Sequence, residues 1–244
     1  MKLKLVKKIE EAKGTKSFFW EPEKKVDWLP GQYYYYTLPK LMFDDSRGPT
    51  RHFTISSSPT EGNLLRLTTR IRETSGYKKT LDSLKIGEII EGEGPSGTFI
   101  FDEAEIDKNH MFLAGGIGIT PFRVFMKYMF DKNLKIPVHL IYSNSLVEEI
   151  AFRKEFDKWS NKFNYFKLAL TVSKPEESNE KWNGFKGRID QQMISTLIGN
   201  WKLVIGNLTF WIVGPPPFVS AMEDMFEKMK ISSNNILTEK FTGY

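Results

Sequence analysis

The chain has 244 residues, 40% of them hydrophobic and 27% charged, with a formal net charge of +5. That is enough chain for two modest cores of ordinary soluble composition. Cysteine is absent, which excludes disulfides, thiolate metal sites and cysteine-ligated iron–sulfur clusters within these residues and fits a cytoplasmic location. The three histidines, His52, His110 and His139, match no zinc spacing. The basic N-terminus is followed by no apolar h-region, and no apolar run approaches membrane-spanning length, so neither a signal peptide nor a membrane span is expected. The positive balance suits an acidic partner. Lysine and arginine are interspersed with acids, and neither a helix-turn-helix nor an RNA-binding signature appears, so nucleic acid is not expected as a partner.

In chain order, strands are expected over Lys2–Ile9, Gln32–Leu38, Arg51–Ser57, Leu64–Arg72 and Glu88–Glu93, where apolar and polar residues alternate between turn signals. One short helix is expected at Tyr77–Leu84. Many short strands at this spacing predict an antiparallel Greek-key β-barrel over residues 1–102. The polar, acidic stretch Phe101–Asn109 reads as a boundary. From 108 to 244, apolar strands alternate with helical patterns. The strands are Met111–Ala114, Val138–Tyr142, Phe166–Val172, Phe210–Val213 and Ile236–Phe241. The helices lie near Pro121–Asp131, Glu148–Lys158, Gln191–Leu197 and Val219–Lys230, with a long polar loop after Val172. This alternation predicts an α/β domain with a doubly wound, parallel five-stranded sheet.

Two segments carry the chemistry. Along Arg51-His52-Phe53-Thr54, period-two geometry puts Arg51 and Phe53 on one face and His52 and Thr54 on the other. A guanidinium suits a phosphate, an aromatic ring suits a flat cofactor, and a hydroxyl suits its polar edge. A flavin needs all three, although the same strand taken alone also reads as an ordinary one with a surface arginine. Gly115-Gly116-Ile117-Gly118-Ile119-Thr120-Pro121 follows an apolar strand and opens a helix. Glycines there let the backbone approach a pyrophosphate, and the helix start carries partial positive charge toward it. Thr120 can add a hydroxyl, and Pro121 needs no amide donor in the first helical turn. Gly214-Pro215-Pro216 is a stiff turn at a strand end, suited to the floor of a nicotinamide site. Lys78 and Lys79 stand at the start of the expected short helix, where cation and amides favour an anion.

The order of these motifs resembles that of the ferredoxin–NADP reductase superfamily. Pro30-Gly31-Gln32-Tyr33, Arg51-His52-Phe53-Thr54, Gly94-Pro95-Ser96-Gly97, Gly115–Pro121, Gly214-Pro215-Pro216 and Glu239-Lys240-Phe241 are similar, in sequence, to six motifs of that family. The resemblance implies hydride transfer from NADPH or NADH to a flavin and release of single electrons to a separate acceptor, such as ferredoxin, flavodoxin or an oxygenase component. It implies FAD rather than FMN, a choice also favoured by the Lys78–Lys79 segment. Carried over residue by residue, it places flavin on Tyr33, Arg51, His52, Phe53, Thr54, Tyr77, Lys78, Lys79 and Thr80, with Phe241, and with Tyr244 as a further aromatic. It places the nicotinamide nucleotide on Gly115, Gly116, Gly118, Thr120, Pro121, Gly214 and Pro215. Val213 stands where the family commonly has cysteine, which leaves Thr54 and Glu239 as the catalytic polar groups. Ser143 and Arg153 could take the 2′-phosphate of NADPH, yet Glu148 and Glu149 are close in sequence, so NADH and NADPH stay undecided. The alternative is a flavin-binding electron-relay or regulatory subunit of a larger complex.

Overall fold

The structure is a computed structural model and describes residues 1–103 and 108–242. Part of the expected boundary, 104–107, and the terminal Tyr244 lie outside the described residues. Two compact units emerge, one of residues 1–101 with Thr120–Lys132, the other of Asp102–Ile119 with the chain from Asn133 to Thr242.

The first unit is a six-stranded antiparallel barrel of β1 (Lys2–Ala12), β2 (Thr15–Pro22), β3 (Tyr33–Thr37), β4 (Thr50–Thr54), β5 (Leu65–Arg70) and β6 (Ile89–Ser96), in the order β4-β3-β6-β1-β2-β5. A bridge between Ile55 and Leu67 and the Ser56 amide donating to the Arg66 carbonyl at 2.7 Å join its two edges. Alternation decides what is inside: Tyr34 and Tyr36 are fully buried with Leu3, Leu5, Phe18, Trp20, Ile55 and Leu67, whereas Tyr33 and Tyr35 turn outward. Strand β2 is a correction to the sequence reading, which expected five strands here. Its Ser17-Phe18-Phe19-Trp20 core lacks clean alternation because Phe18 is buried and Phe19 half-buried, so register with β1 and β5 defines it instead. Helix α1 (Gly76–Ser83) is capped by Ser75, whose hydroxyl accepts from the Lys78 amide. Helix α2 (Ile119–Asp131) contributes its body to this unit: Arg123, 2% exposed, donates to both carboxylate oxygens of Glu61 at 2.5 and 2.8 Å and to the Ser56 carbonyl at 2.9 Å. Phe125 stacks on Phe99, with 5.9 Å between centroids.

The second unit is a parallel sheet of β7 (Asn109–Gly115), β8 (Val138–Asn144), β9 (Phe166–Val172), β10 (Phe185–Lys186), β11 (Leu208–Gly214) and β12 (Ile236–Lys240), in the order β10-β9-β8-β7-β11-β12. Six strands replace the expected five because Phe185–Lys186, inside the segment read as a polar loop, pairs with Thr171 and Val172 of β9. Two residues are too few for a period. Helices α3 (Arg153–Lys162), α4 (Gln191–Asn200) and α5 (Pro216–Lys228) follow strands of this sheet. Helix α3 begins five residues later than the expected Glu148: Val147, Ile150 and Ala151 are buried at helical spacing, but Phe152 takes a left-handed φ of 58° that breaks the helix before Arg153. Met111, Leu113, Ile141, Phe210 and Ile212 pack beneath α4 and α5. Among the described residues no helix is long and apolar enough to cross a membrane.

Candidate functional site

On the barrel, β4 pairs with β3 so that Tyr36 faces Arg51, Tyr34 faces Phe53 and Tyr33 faces Thr54. The expected side-chain alternation sorts these residues into two groups. Arg51 and Phe53 share a face with Tyr77: the guanidinium lies 5.2 Å from the Tyr77 ring centroid and Phe53 lies 6.0 Å from it. His52 turns the other way and packs against Tyr33 at 4.8 Å and Tyr35 at 5.5 Å. Thr54 is buried beside Tyr33 in the register. Tyr77 is fixed by its hydroxyl, which donates to the Tyr36 carbonyl at 2.9 Å.

The start of α1 gathers cations. Lys78 is 3% exposed, and burial, reinforced by Arg72, Arg47, Arg51 and Arg70, lowers its pKa to about 8. Lys79 lies farther out, with its ammonium 3.5 Å from Glu73 and 4.4 Å from the Phe43 ring centroid. The Thr80 hydroxyl is committed locally, donating to the Gly76 carbonyl at 2.8 Å and accepting from the Met42 amide at 3.0 Å. Arg51 spends Nη1 on the carbonyls of Arg47, Gly48 and Thr50, and Nη2 on Asp45 at 2.5 Å. Burial acts to raise the Asp45 pKa, but amide donors from Tyr77 and Arg47 together with the Arg51 charge hold it below its ordinary value. Asp45, Arg47, Arg70 and Arg72 were not singled out in sequence. Period-two spacing at the end of β5 was the available signal for the last two.

On the sheet, strand order reverses between β7 and β11, where ligands of doubly wound sheets bind beyond the carboxyl ends. Gly115 ends β7, Gly116–Gly118 form a 3₁₀ turn, and α2 starts at Ile119, with Thr120 and Pro121 buried. The glycines have separate reasons. Gly116 has φ +54°, while a Cβ on Gly115 or Gly214 would meet the Phe218 ring at 2.7 Å, and one on Gly118 would strike the Val213 carbonyl. Pro215 caps α5 and Pro216 starts it. Glu239 pairs with Val213 in register at the same sheet end. Burial raises its pKa to about 7, and its Oε2 is buried without a hydrogen-bond partner. The Phe241 amide donates to the Gly214 carbonyl at 2.9 Å. Arg153 pairs with Glu180 at 3.0 Å and lies 5.5 Å from the Trp182 ring centroid.

Residues 2–101 match the family described as oxidoreductase FAD-binding domain, and residues 112–224 the oxidoreductase NAD-binding domain. The chain is therefore an FAD- and NAD-binding oxidoreductase in its domain composition. It is 25% identical over 242 residues to the glycine betaine monooxygenase reductase subunit of Chromohalobacter salexigens, covering 98% of this chain and 63% of that protein. It is 24% identical over 219 residues to the anthranilate 1,2-dioxygenase electron transfer component of Acinetobacter baylyi, covering 89% and 59%. A solved ferredoxin NADP+ reductase from Neisseria gonorrhoeae with bound FAD and NADP superimposes with a TM-score of 0.78 at 16% identity, covering 98% of each chain. With both domains matched in order, the chain joins an oxidoreductase FAD-binding domain to an oxidoreductase NAD-binding domain, and it shares the fold of that ferredoxin NADP+ reductase. It spans about three fifths of the length of the curated relatives it matches.

The donor sets fit the two cofactors. One buried lysine with four arginines around it is a cationic set of the kind that a diphosphate neutralises. The Gly116 turn, with nothing within 4 Å of its Cβ position, leaves a backbone face open to a pyrophosphate.

Proposed function

We propose that this chain is a reductase module that takes hydride from NADPH or NADH onto FAD and passes electrons singly to a separate acceptor. The observation that carries it is the pairing, on one chain, of a cation cluster at the start of α1 with a glycine turn at the sheet's reversal point. Bound FAD supplies the step from a two-electron donor to one-electron acceptors. The protein orients and holds. We take residues 1–102 as the flavin domain and 108–244 as the nicotinamide domain. Lys78, Arg51 and the α1 amides hold the flavin diphosphate; Phe53, Tyr77 and Tyr33 supply aromatic wall; the Thr54 hydroxyl meets the ring edge. Gly115, Gly116 and Gly118 admit the nucleotide pyrophosphate, with Pro215 as a stiff floor. Burial raises the Glu239 pKa to about 7, so its carboxyl can hold or release a proton near neutral pH.

Both named relatives are electron-supplying components of oxygenases, which favours an oxygenase component as acceptor. A small acidic carrier such as ferredoxin or flavodoxin fits the +5 net charge by steered encounter. The cytoplasmic placement rests on a cysteine-free sequence, which makes no use of an oxidising compartment. The test is anaerobic stopped-flow mixing of the flavin-loaded protein with NADH and with NADPH. Bleaching of the flavin bands within seconds is expected with at least one nucleotide. A protein that takes up neither FAD nor FMN overturns the reading, and one that binds flavin but bleaches with neither nucleotide is instead a relay or regulatory subunit.

A further inference from the structure

Residues 42–48 form a strap over the start of α1. The Met42 and Phe43 amides donate to Thr80 Oγ1 at 3.0 and 3.4 Å, and the carbonyls of Phe43 and Asp44 press so closely on Gly76 that a side chain there would collide. Asp45 stands at the centre. Its Oδ2 accepts from the Tyr77 amide at 2.9 Å and from Ser75 Oγ at 3.2 Å, and its Oδ1 accepts from Arg51 Nη2 at 2.5 Å and the Arg47 amide at 3.1 Å. A first-turn helix amide, a hydroxyl and a guanidinium are the donors that a phosphate oxygen takes. The carboxylate that holds them is 9% exposed and its arginine 8%.

We propose that Asp45 is an intramolecular stand-in for the flavin diphosphate, which must displace the strap to reach Arg51 and the Tyr77 amide. The inference rests on the assignment of the α1 start to flavin phosphate and adds a residue that competes with the cofactor for the same donors. One amide hydrogen and one guanidinium edge do not serve two anions at full strength, and two anions drawn to one seat repel. The strap lies at the surface. Met42 is 66% and Phe43 40% exposed, and Gly48, at φ +74°, supplies a permissive turn at its end. Arg51 Nη1 donates to the Arg47 and Gly48 carbonyls within the strap, each 2.9 Å away, and to the Thr50 carbonyl beyond it at 2.7 Å, so the Thr50 contact keeps a hold on the guanidinium when its Nη2 edge changes partner.

The test uses the full chain stripped of flavin, with FAD as the probe and flavin fluorescence as the binding signal, comparing wild type with Asp45→Asn and Asp45→Ala. Weakening the competitor raises the fraction of open seats, so both variants are expected to bind FAD about tenfold more tightly, mainly through faster association. Hydrogen exchange on the wild type supplies a reading free of mutation: amides in 42–48 exchange faster once FAD is loaded. Weaker binding by the variants means that Asp45 permanently positions Arg51 beside the cofactor, and overturns the proposal. Unchanged affinity with unchanged exchange in 42–48 overturns it as well. If neither wild type nor variants take up FAD, the flavin assignment itself fails, and this inference fails with it.

Discussion

Lys78 pays for its position in the flavin-free chain. It is 3% exposed and its pKa is lowered to about 8 by burial and by Arg72, Arg47, Arg51 and Arg70. The folded value lies below the ordinary lysine value of 10.5, so the unfolded chain binds more protons between the two. Stability of the flavin-free protein is therefore expected to rise with pH from about 8 to 10.5, and the penalty is full below that window. Lys78→Met removes it: the flavin-free variant should be more stable near neutral pH by about 1–3 kcal/mol and should lose the alkaline slope. The same change should weaken FAD binding about tenfold, because a charge-assisted phosphate contact is gone. Chemical denaturation at several pH values and FAD titration measure the two effects. Stability and affinity falling together would show Lys78 to be a packing residue.

At the scale of elements, the β7–α2 turn uses glycine for conformation and the neighbouring strand ends use it for proximity. Gly116 has a left-handed φ of +54° with nothing within 4 Å of its Cβ position, so a β-branched residue there fails through backbone strain. Gly116→Val should cost about 1–3 kcal/mol in stability and lower NAD(P)H affinity at least tenfold, with FAD retained. Gly116→Asn tolerates the same φ and serves as the control for strain. Nucleotide titration of the yellow protein distinguishes them, and a valine variant with unchanged affinity would remove this turn from the nucleotide site. Gly115, Gly118 and Gly214 do other work: the β7 and β11 ends come together around the Phe218 ring and the Val213 carbonyl, where no Cβ fits.

For the whole molecule, each unit owns a core and, on the proposed function, one cofactor, so the ligands should stabilise separately. The barrel buries Trp20, Tyr34 and Tyr36, and the sheet buries Leu113, Ile141 and Phe210. FAD at a hundredfold excess over its Kd adds about 2.7 kcal/mol to the state that binds it. That corresponds to roughly 10 °C in melting temperature for units of this size. Calorimetry is expected to show FAD moving one transition and NAD(H) another. A single transition moved equally by both would mean that the units unfold as one, and no shift with FAD would contradict the barrel assignment.

The order of motifs determined the family, the two cofactors and the class of each fold, because turns such as Gly115–Pro121 and alternations such as Tyr33–Tyr36 are local and written in consecutive residues. Most helices and strands were legible for the same reason. Strand β2 and the two-residue β10 were not, since only partners distant in sequence, β1 and β5 for the first and β9 for the second, make them strands. The candidate flavin site divides likewise. Arg51, Phe53 and Tyr77 could be named from motifs, but the ring of Arg47, Arg70 and Arg72 around Lys78 joins residues up to 31 positions apart. The engagement of Arg51 by Asp45, and the raised pKa of Glu239, also depend on burial and on neighbours. Charge and backbone conformation are properties of residues in sequence; which charges meet, and how dry they are when they do, is decided by packing.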